Sequence, residues 1–266
     1  MKKKNAGSIA IMLLIMIYLL IPLVVSIIYS VFKKWTEILP EGFRLDNYIS
    51  LFSDQNFMAS VGRSIGWCVV PILLTIVIVL LALFVTTIYF PKLEKYVQII
   101  CMIPYTIQGV ILSVSILSLY VGTKSILSNR LVMLVGAYCV VILPYIYQGI
   151  RNGMRAVNMT TLIEAAEMLG ASKIYAFFRV VVPNILSAII VSSLLAVGII
   201  FGDYVLIRNL AGTSAPNMQI FLYQTMKSDS TKASAVFVII MFVTFVITAI
   251  VLFLKSREGK GRAQRK

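Results

Sequence analysis

The sequence contains no histidine. That absence removes imidazole from the roles it usually fills: the base of a serine or cysteine triad, the commonest zinc ligand, and a proton relay near neutral pH. Cysteine is nearly as scarce. Cys68, Cys101 and Cys139 are odd in number, far apart and set in apolar runs, so neither a disulfide framework nor a metal knuckle is expected. They read as small core residues. Acids are few, with 10 Asp and Glu against 24 Lys and Arg, and long stretches carry no charge of either sign. A phosphate-binding loop is missing as well, because Gly122-Thr123-Lys124-Ser125 lacks the glycine that opens Gly-x-x-x-x-Gly-Lys-Ser/Thr.

What is present in excess is apolar surface. It makes up 60% of the residues, against about 45–50% in an ordinary soluble domain, and a soluble fold is excluded. Six apolar runs lie at about residues 8–32, 64–90, 97–121, 131–150, 184–207 and 234–254. A helix rising 1.5 Å per residue needs about 20 residues to cross a hydrocarbon core of about 30 Å, and each run reaches that length. The expectation is an all-α membrane protein with six transmembrane helices, forming one domain over residues 1–266. The first run follows Lys2, Lys3 and Lys4, but it is too long for a secretory signal and no small-residue cleavage site follows it.

Basic residues then set the orientation. Fifteen of the 24 Lys and Arg fall with the two termini, the turn holding Lys92 and Lys95, and the loop holding Arg151, Arg155, Lys173 and Arg179. The other nine lie on the opposite side. The positive-inside rule places both termini in the cytoplasm. The net charge of +14 reads as topology and attraction to anionic lipid, not as nucleic-acid binding.

Of the loops, the internal one at residues 151–183 is the most structured by sequence. Thr161-Leu162-Ile163-Glu164 has the form of a capping box, and Gly170 suits the left-handed residue that ends a helix. The helix expected between them, Leu162 to Leu169, is barely two turns and must be held by tertiary contacts. Leu162, Ala165, Ala166 and Leu169 share one face, and the small alanines let another surface approach. A second amphipathic stretch, Ser172 to Arg179, is expected to carry Ile174, Phe177 and Phe178 on one side, with Pro183 opening the next span. The loop is expected to be a helical hairpin lying at the cytoplasmic membrane surface, its plainest reading an interfacial packing element.

The residues of that loop resemble a known pattern. Glu164-Ala165-Ala166, Gly170, and Val181-Val182-Pro183 are similar to the EAA loop of the permease subunits of bacterial binding-protein-dependent ABC importers. Leu45-Asp46-Asn47-Tyr48 with Leu51-Phe52 resembles the segment those permeases place before their second helix. Leu169-Gly170-Ala171-Ser172 and Phe201-Gly202-Asp203-Tyr204-Val205 are closest to the branch handling polyamines, phosphonates, iron(III) and thiamine. Arg63 stands where that family often has Asn.

The resemblance implies a coupling helix between the fourth and fifth transmembrane helices, with Glu164, Ala165, Ala166, Gly170 and Pro183 contacting a cytoplasmic ATPase dimer. It implies half of an alternating-access pathway completed by a second permease, identical or homologous. An extracellular solute-binding protein would deliver the solute, possible examples being a polyamine or a phosphonate. ATP and magnesium would sit on the partner subunit, with no cofactor, metal or catalytic residue on this chain. The location implied is the bacterial cytoplasmic membrane. A sugar-type ABC permease is the alternative, and a stand-alone secondary transporter a more distant one, since several intramembrane ionisable groups are lacking.

Weaker signals remain open. Tyr105, Gln108, Ser113, Tyr145 and Gln148 either line a pathway or bond across helices. Small residues four apart in the fifth run, Ala188, Ser192 and Ala196, with Gly198 and Gly202, suggest close helix packing. Asn158-Met159-Thr160 matches a glycosylation acceptor that a cytoplasmic location would leave unused. Asp203 is the one formally charged residue in the six runs. It is read either as an ion pair with Arg208 or as a contact for a cationic solute at the outer mouth.

Overall fold

The computed structural model describes residues 6–34, 41–43, 45–107, 109–123, 125–212 and 215–263. Helix dominates throughout. Four helices are long and apolar enough to cross a membrane: α1 (Ala6–Ser30), α3 (Gln55–Ile88), α6 (Arg130–Ala156) and α13 (Ser230–Ala263). Two bent pairs add a further candidate each. The first joins α4 (Glu94–Met102) and a 3-10 turn, Ile103–Thr106, to α5 (Gly109–Tyr120). In the second, residues Lys173–Asn184 meet Leu186–Phe201 at 65°.

The expected third and fifth spans are thus not single straight helices. Pro104 lies inside the 3-10 turn, and Ile107 is extended, with ψ of 112°. Proline removes a donor from the helical ladder, and an extended residue ends it. In the expected fifth span, the helix α10 (Leu186–Phe201) stops six residues early, Gly202 follows it, and α11 (Val205–Leu210) begins afresh.

The chain divides into two compact units, Met1–Ser60 with Ile220–Val243, and Val61–Gln219 with Thr244–Lys266. In the first, α1 leads into an antiparallel pair of three-residue strands, β1 (Phe32–Lys34) and β2 (Glu41–Phe43). Phe32 lies opposite Phe43, their rings 6.1 Å apart and edge to face, the cross-strand aromatic pairing that stabilises short sheets. These are the only strands among the described residues, and hydropathy gave no sign of them. α2 (Asp46–Ser53) carries Tyr48, whose hydroxyl bonds Ser30 Oγ at 2.7 Å, and Asn47 Nδ2 donates to the Ser30 carbonyl at 3.2 Å. Phe57 is buried against Phe52 and Phe221. Lys232 bonds Asp54 at 3.2 Å. Burial raises the Asp54 pKa, but that bond, the Asn56 amide and the lysine charge together hold it below the usual carboxylate value.

The core of the second unit is built on α6. Asn129 Oδ1 caps its start by accepting from the Leu131 amide at 2.9 Å. Along its length Leu134, Ala137, Tyr138, Ile142, Ile146, Tyr147 and Ile150 are buried. α10 packs most extensively against it. A Cβ on Gly149 would collide with the Ser192 side chain, and one on Gly153 would lie 2.6 Å from Ala188 Cβ. The small residues expected to serve helix packing do so at Ala188 and Ser192, and their partners are Gly149 and Gly153. Of the cysteines, Cys68 and Cys101 are buried and Cys139 is half-buried, all three free.

Candidate functional site: a helical hairpin and a polar cleft

The loop after α6 begins later than the hydropathy boundary suggests, because α6 continues through Arg151 and Arg155 to Ala156. There the Glu94 carboxylate accepts from both arginines, at 2.7 Å from Arg151 and 3.2 Å from Arg155. Asn158 then turns the chain with φ of 50°. Only a left-handed residue closes this corner, and asparagine tolerates that backbone better than most residues.

α7 (Met159–Met168) follows at once. It begins three residues before the expected start, so Thr161 lies inside the helix and the capping box does not form. A local pattern is overridden here by the tight corner after α6, which fixes the helix start at Asn158. Met159 and Ile163, one turn apart, are buried and seat the helix. Glu164 and Ala165 are exposed and Ala166 is half-buried. At the tip Met168 and Leu169 are 88% and 89% exposed, far beyond what an apolar residue in a packed loop shows.

Gly170 ends the helix as expected, with φ of 84°. Its amide donates to the Glu167 carbonyl at 2.9 Å, and the Ala171 amide to the Ala166 carbonyl at 3.0 Å. These two bonds make a complete Schellman motif, which satisfies otherwise orphaned carbonyls and reverses the chain. Lys173 meets Glu167 across the turn at 3.8 Å. α8 (Lys173–Ala176) starts from Ser172, whose Oγ accepts from the Tyr175 amide at 3.3 Å.

The second arm departs from the expected amphipathic face. Ile174 and Phe178 are exposed, but Phe177 is fully buried, its ring 4.8 Å from that of Phe84. The buried side of this arm is formed by Ala176, Phe177 and Val181, and a widened π turn runs over Phe177–Val181. Pro183 lies exposed just beyond it in the short α9 (Val182–Asn184). A proline cannot donate to the fourth carbonyl before it, and the wider turn accommodates that gap.

The polar residues of the middle spans sort into two groups. Tyr105, Tyr145 and Gln148 come together with Asn152 and Ser192 around a cleft of about 400 Å3 along the α6–α10 seam. The two tyrosine rings stand 4.9 Å apart, and Gln148 Nε2 lies 3.0 Å from Met102 Sδ. No side chain lining this cleft is charged. Ser113 belongs elsewhere, accepting from Asn209 Nδ2 at 2.7 Å. Gln108 lies outside the described residues. Asn152 and the Gly149/Gly153 pair were not singled out by sequence, although the Gly-x-x-x-Gly spacing was there to be found.

Asp203 does not make the expected ion pair, and its carboxylate is held by other groups. It lies in the break between α10 and α11, not within a spanning helix. Its carboxylate accepts from the Leu206 amide at 3.1 Å, the Ile207 amide at 3.3 Å and the Tyr138 hydroxyl at 3.1 Å. The ion pair with Arg208 does not form; backbone amides at the start of α11 take its place. Asn217 Nδ2 fastens the Asp203 carbonyl at 3.1 Å. Nearby, Arg63 Nε donates to the Pro216 carbonyl at 2.8 Å, which gives that unexpected arginine a structural partner.

Set against known proteins, the chain matches the sequence model of the family described as binding-protein-dependent transport system inner membrane component over residues 1–258. It is 21% identical over 203 residues to a protein of Salmonella typhi named as the 2-aminoethylphosphonate transport system permease PhnV, covering 76% of each chain. The namesake from Salmonella typhimurium strain LT2 is 23% identical over 202 residues, covering 74% of this chain and 75% of that one. Among solved structures, a bacterial ABC transporter that imports the acidic polysaccharide alginate matches with a TM-score of 0.67 at 18% identity, covering 97% and 96% of the two chains. The same kind of transporter in complex with a periplasmic protein bound to alginate pentasaccharide matches at 0.66, covering 95% and 93%.

Proposed function

The chain belongs to the family of binding-protein-dependent transport system inner membrane components, and from that membership we propose that it forms half of an alternating-access pathway whose cytoplasmic lever is α7–Gly170–α8. It is a permease subunit of the ABC-importer type, lodged in the inner membrane by several apolar helices. The observation that carries the lever is the pairing of a rigid Schellman turn at Gly170 with the exposed tip Met168–Leu169. An apolar tip so exposed needs a covering surface, and the cytoplasmic ATPase is the proposed one. Glu164, Ala165 and Ala166 lie on the same short helix and would line that contact.

In the full proposal the six runs form one permease domain with both termini in the cytoplasm, paired with a second permease. An extracellular binding protein delivers the solute, as the periplasmic protein in the alginate complex suggests by analogy of fold. ATP and magnesium are held by the ATPase. For the solute, the names of the Salmonella relatives and the Leu169-Gly170 pattern favour a phosphonate or polyamine. A sugar-type importer is the second reading. It is favoured by the cleft itself, whose phenols and amides can stack on and hydrogen-bond a neutral ring without any charge.

The test is a cross-link. Leu169→Cys, expressed with its neighbouring ATPase carrying single cysteines around its membrane-facing cleft, is expected to form a disulfide-linked heterodimer. In intact cells, Ser172→Cys is expected to resist an impermeant maleimide that labels Ser228→Cys. Labelling of Ser172 with protection of Ser228 would reverse the topology and end the proposal.

A further inference from the structure

The turn between α3 and α4 carries a ring of exposed aromatics: Tyr89 at 51%, Phe90 at 55% and Tyr96 at 63%. Such rings settle at the level of lipid headgroups. A cavity of about 260 Å3 is lined by Thr87, Glu94, Arg151, Arg155, Asn158 and Thr160, with the apolar Leu83, Met154 and Met159. Its charge does not cancel. One Glu94 oxygen accepts from Arg151 Nε and Nη2 and from Arg155 Nη2, so a single carboxylate faces two guanidiniums. Each guanidinium has five N–H donors, and most of them are left over for another acceptor.

The start of α7 adds to the same side of the cavity. Asn158 makes no side-chain cap bond, so the first amides of α7 lack a side-chain acceptor. Thr87 and Thr160 also line the cavity. We infer that this cavity holds the phosphate of an anionic lipid headgroup. Its volume lies just below the roughly 300–1,000 Å3 of pockets for drug-sized ligands, which suits a compact headgroup better than a nucleotide. The depth set by the exposed aromatics and the apolar part of the lining, Leu83, Met154 and Met159, favour a lipid over a free anion. A phosphate there ties the end of α3 and the start of α4 to the corner at Asn158, the root of the lever.

The inference rests on the permease reading for the side of the membrane this turn faces. The experiment uses the full-length chain in detergent, with phosphatidylglycerol or with a glucosyl diacylglycerol of matched chains and no phosphate. Native mass spectrometry then counts retained lipid. Phosphatidylglycerol is expected to be retained over the glycolipid, and Arg155→Gln to lower its affinity about fivefold. Glu94→Gln removes the competing carboxylate and is expected to raise it. If Arg155→Gln does not elute as a folded species, Arg155→Lys keeps the charge without the fork and is expected to keep most of the binding. Equal retention of the two lipids would overturn the site, and displacement of phosphatidylglycerol by inorganic phosphate at equal concentration would overturn the lipid as its occupant. Because the Leu169 cross-link is read separately, failure here leaves the ATPase contact standing.

Discussion

The α6–α10 seam and the α7–α8 lever meet at neighbouring residues yet treat side-chain size in opposite ways. Along the seam, Gly149 and Gly153 face Ser192 and Ala188 with no room for a single added carbon. On the lever, Met168 and Leu169 stand almost wholly clear of the protein, and a side chain on Gly170 would meet nothing within 4 Å. One region is specified by what its own chain packs against it. The other is seated by Met159 and Ile163 at its root, while its exposed tip is shaped by the left-handed residues Asn158 and Gly170 at the two ends of α7. Substitutions in the seam should therefore reach function through stability, and those in the lever should reach it without.

The largest effect is expected at Gly153→Leu. Its Cβ would fall 2.6 Å from Ala188 Cβ, and overpacking of a tight contact costs about 3 kcal/mol. The thermal midpoint of the purified chain, read by size-exclusion survival, should drop, and Ala188→Gly should restore part of it. An unchanged midpoint would mean the seam is looser than its spacing implies.

Asp203 comes next. Asp203→Leu leaves the Leu206 and Ile207 amides and the Tyr138 hydroxyl without their acceptor, and should cost about 2 kcal/mol. Asp203→Asn keeps an acceptor oxygen and should lose well under half of that. If Asp203→Asn instead imports poorly while as stable as the parent, the carboxylate charge acts on the solute and not on α11.

Gly170→Leu places a branched side chain at φ of 84°, a cost of about 1–2 kcal/mol borne by backbone strain alone. The chain should remain inserted, while uptake and transport-linked ATP hydrolysis fall together. Glu164→Ala is the smallest in stability, within about 0.5 kcal/mol, since the side chain is exposed and caps nothing. It should still weaken ATPase coupling. Normal uptake in both variants would remove the lever from the transport cycle.

Much of this arrangement could be read in the sequence, for definite reasons. Hydropathy locates apolar runs because membrane thickness fixes their length, and Gly170 is legible because few other residues end a helix that way. The same averaging over a run hides where its backbone breaks. Pro104 and Gly202 each interrupt a run that is apolar on both sides of the break. Thr161 and Glu164 fit a capping box perfectly, yet the corner at Asn158 had already started the helix. Tyr138 was invisible as the partner of Asp203 because 65 residues separate them.

The widened turn at Phe177–Val181 makes the azimuth of the lever a matter of counting. A π turn is an α-helix holding one residue too many, and each residue of an α-helix advances about 100° and 1.5 Å. Deleting Arg179 would restore regular winding and shift the phase of the residues before it by about 100° about the axis of this arm, a change that the tether at Asn158 would oppose. The direction in which the lever points thus depends on the winding of five residues at its base as well as on the corner at Asn158 and the turn at Gly170.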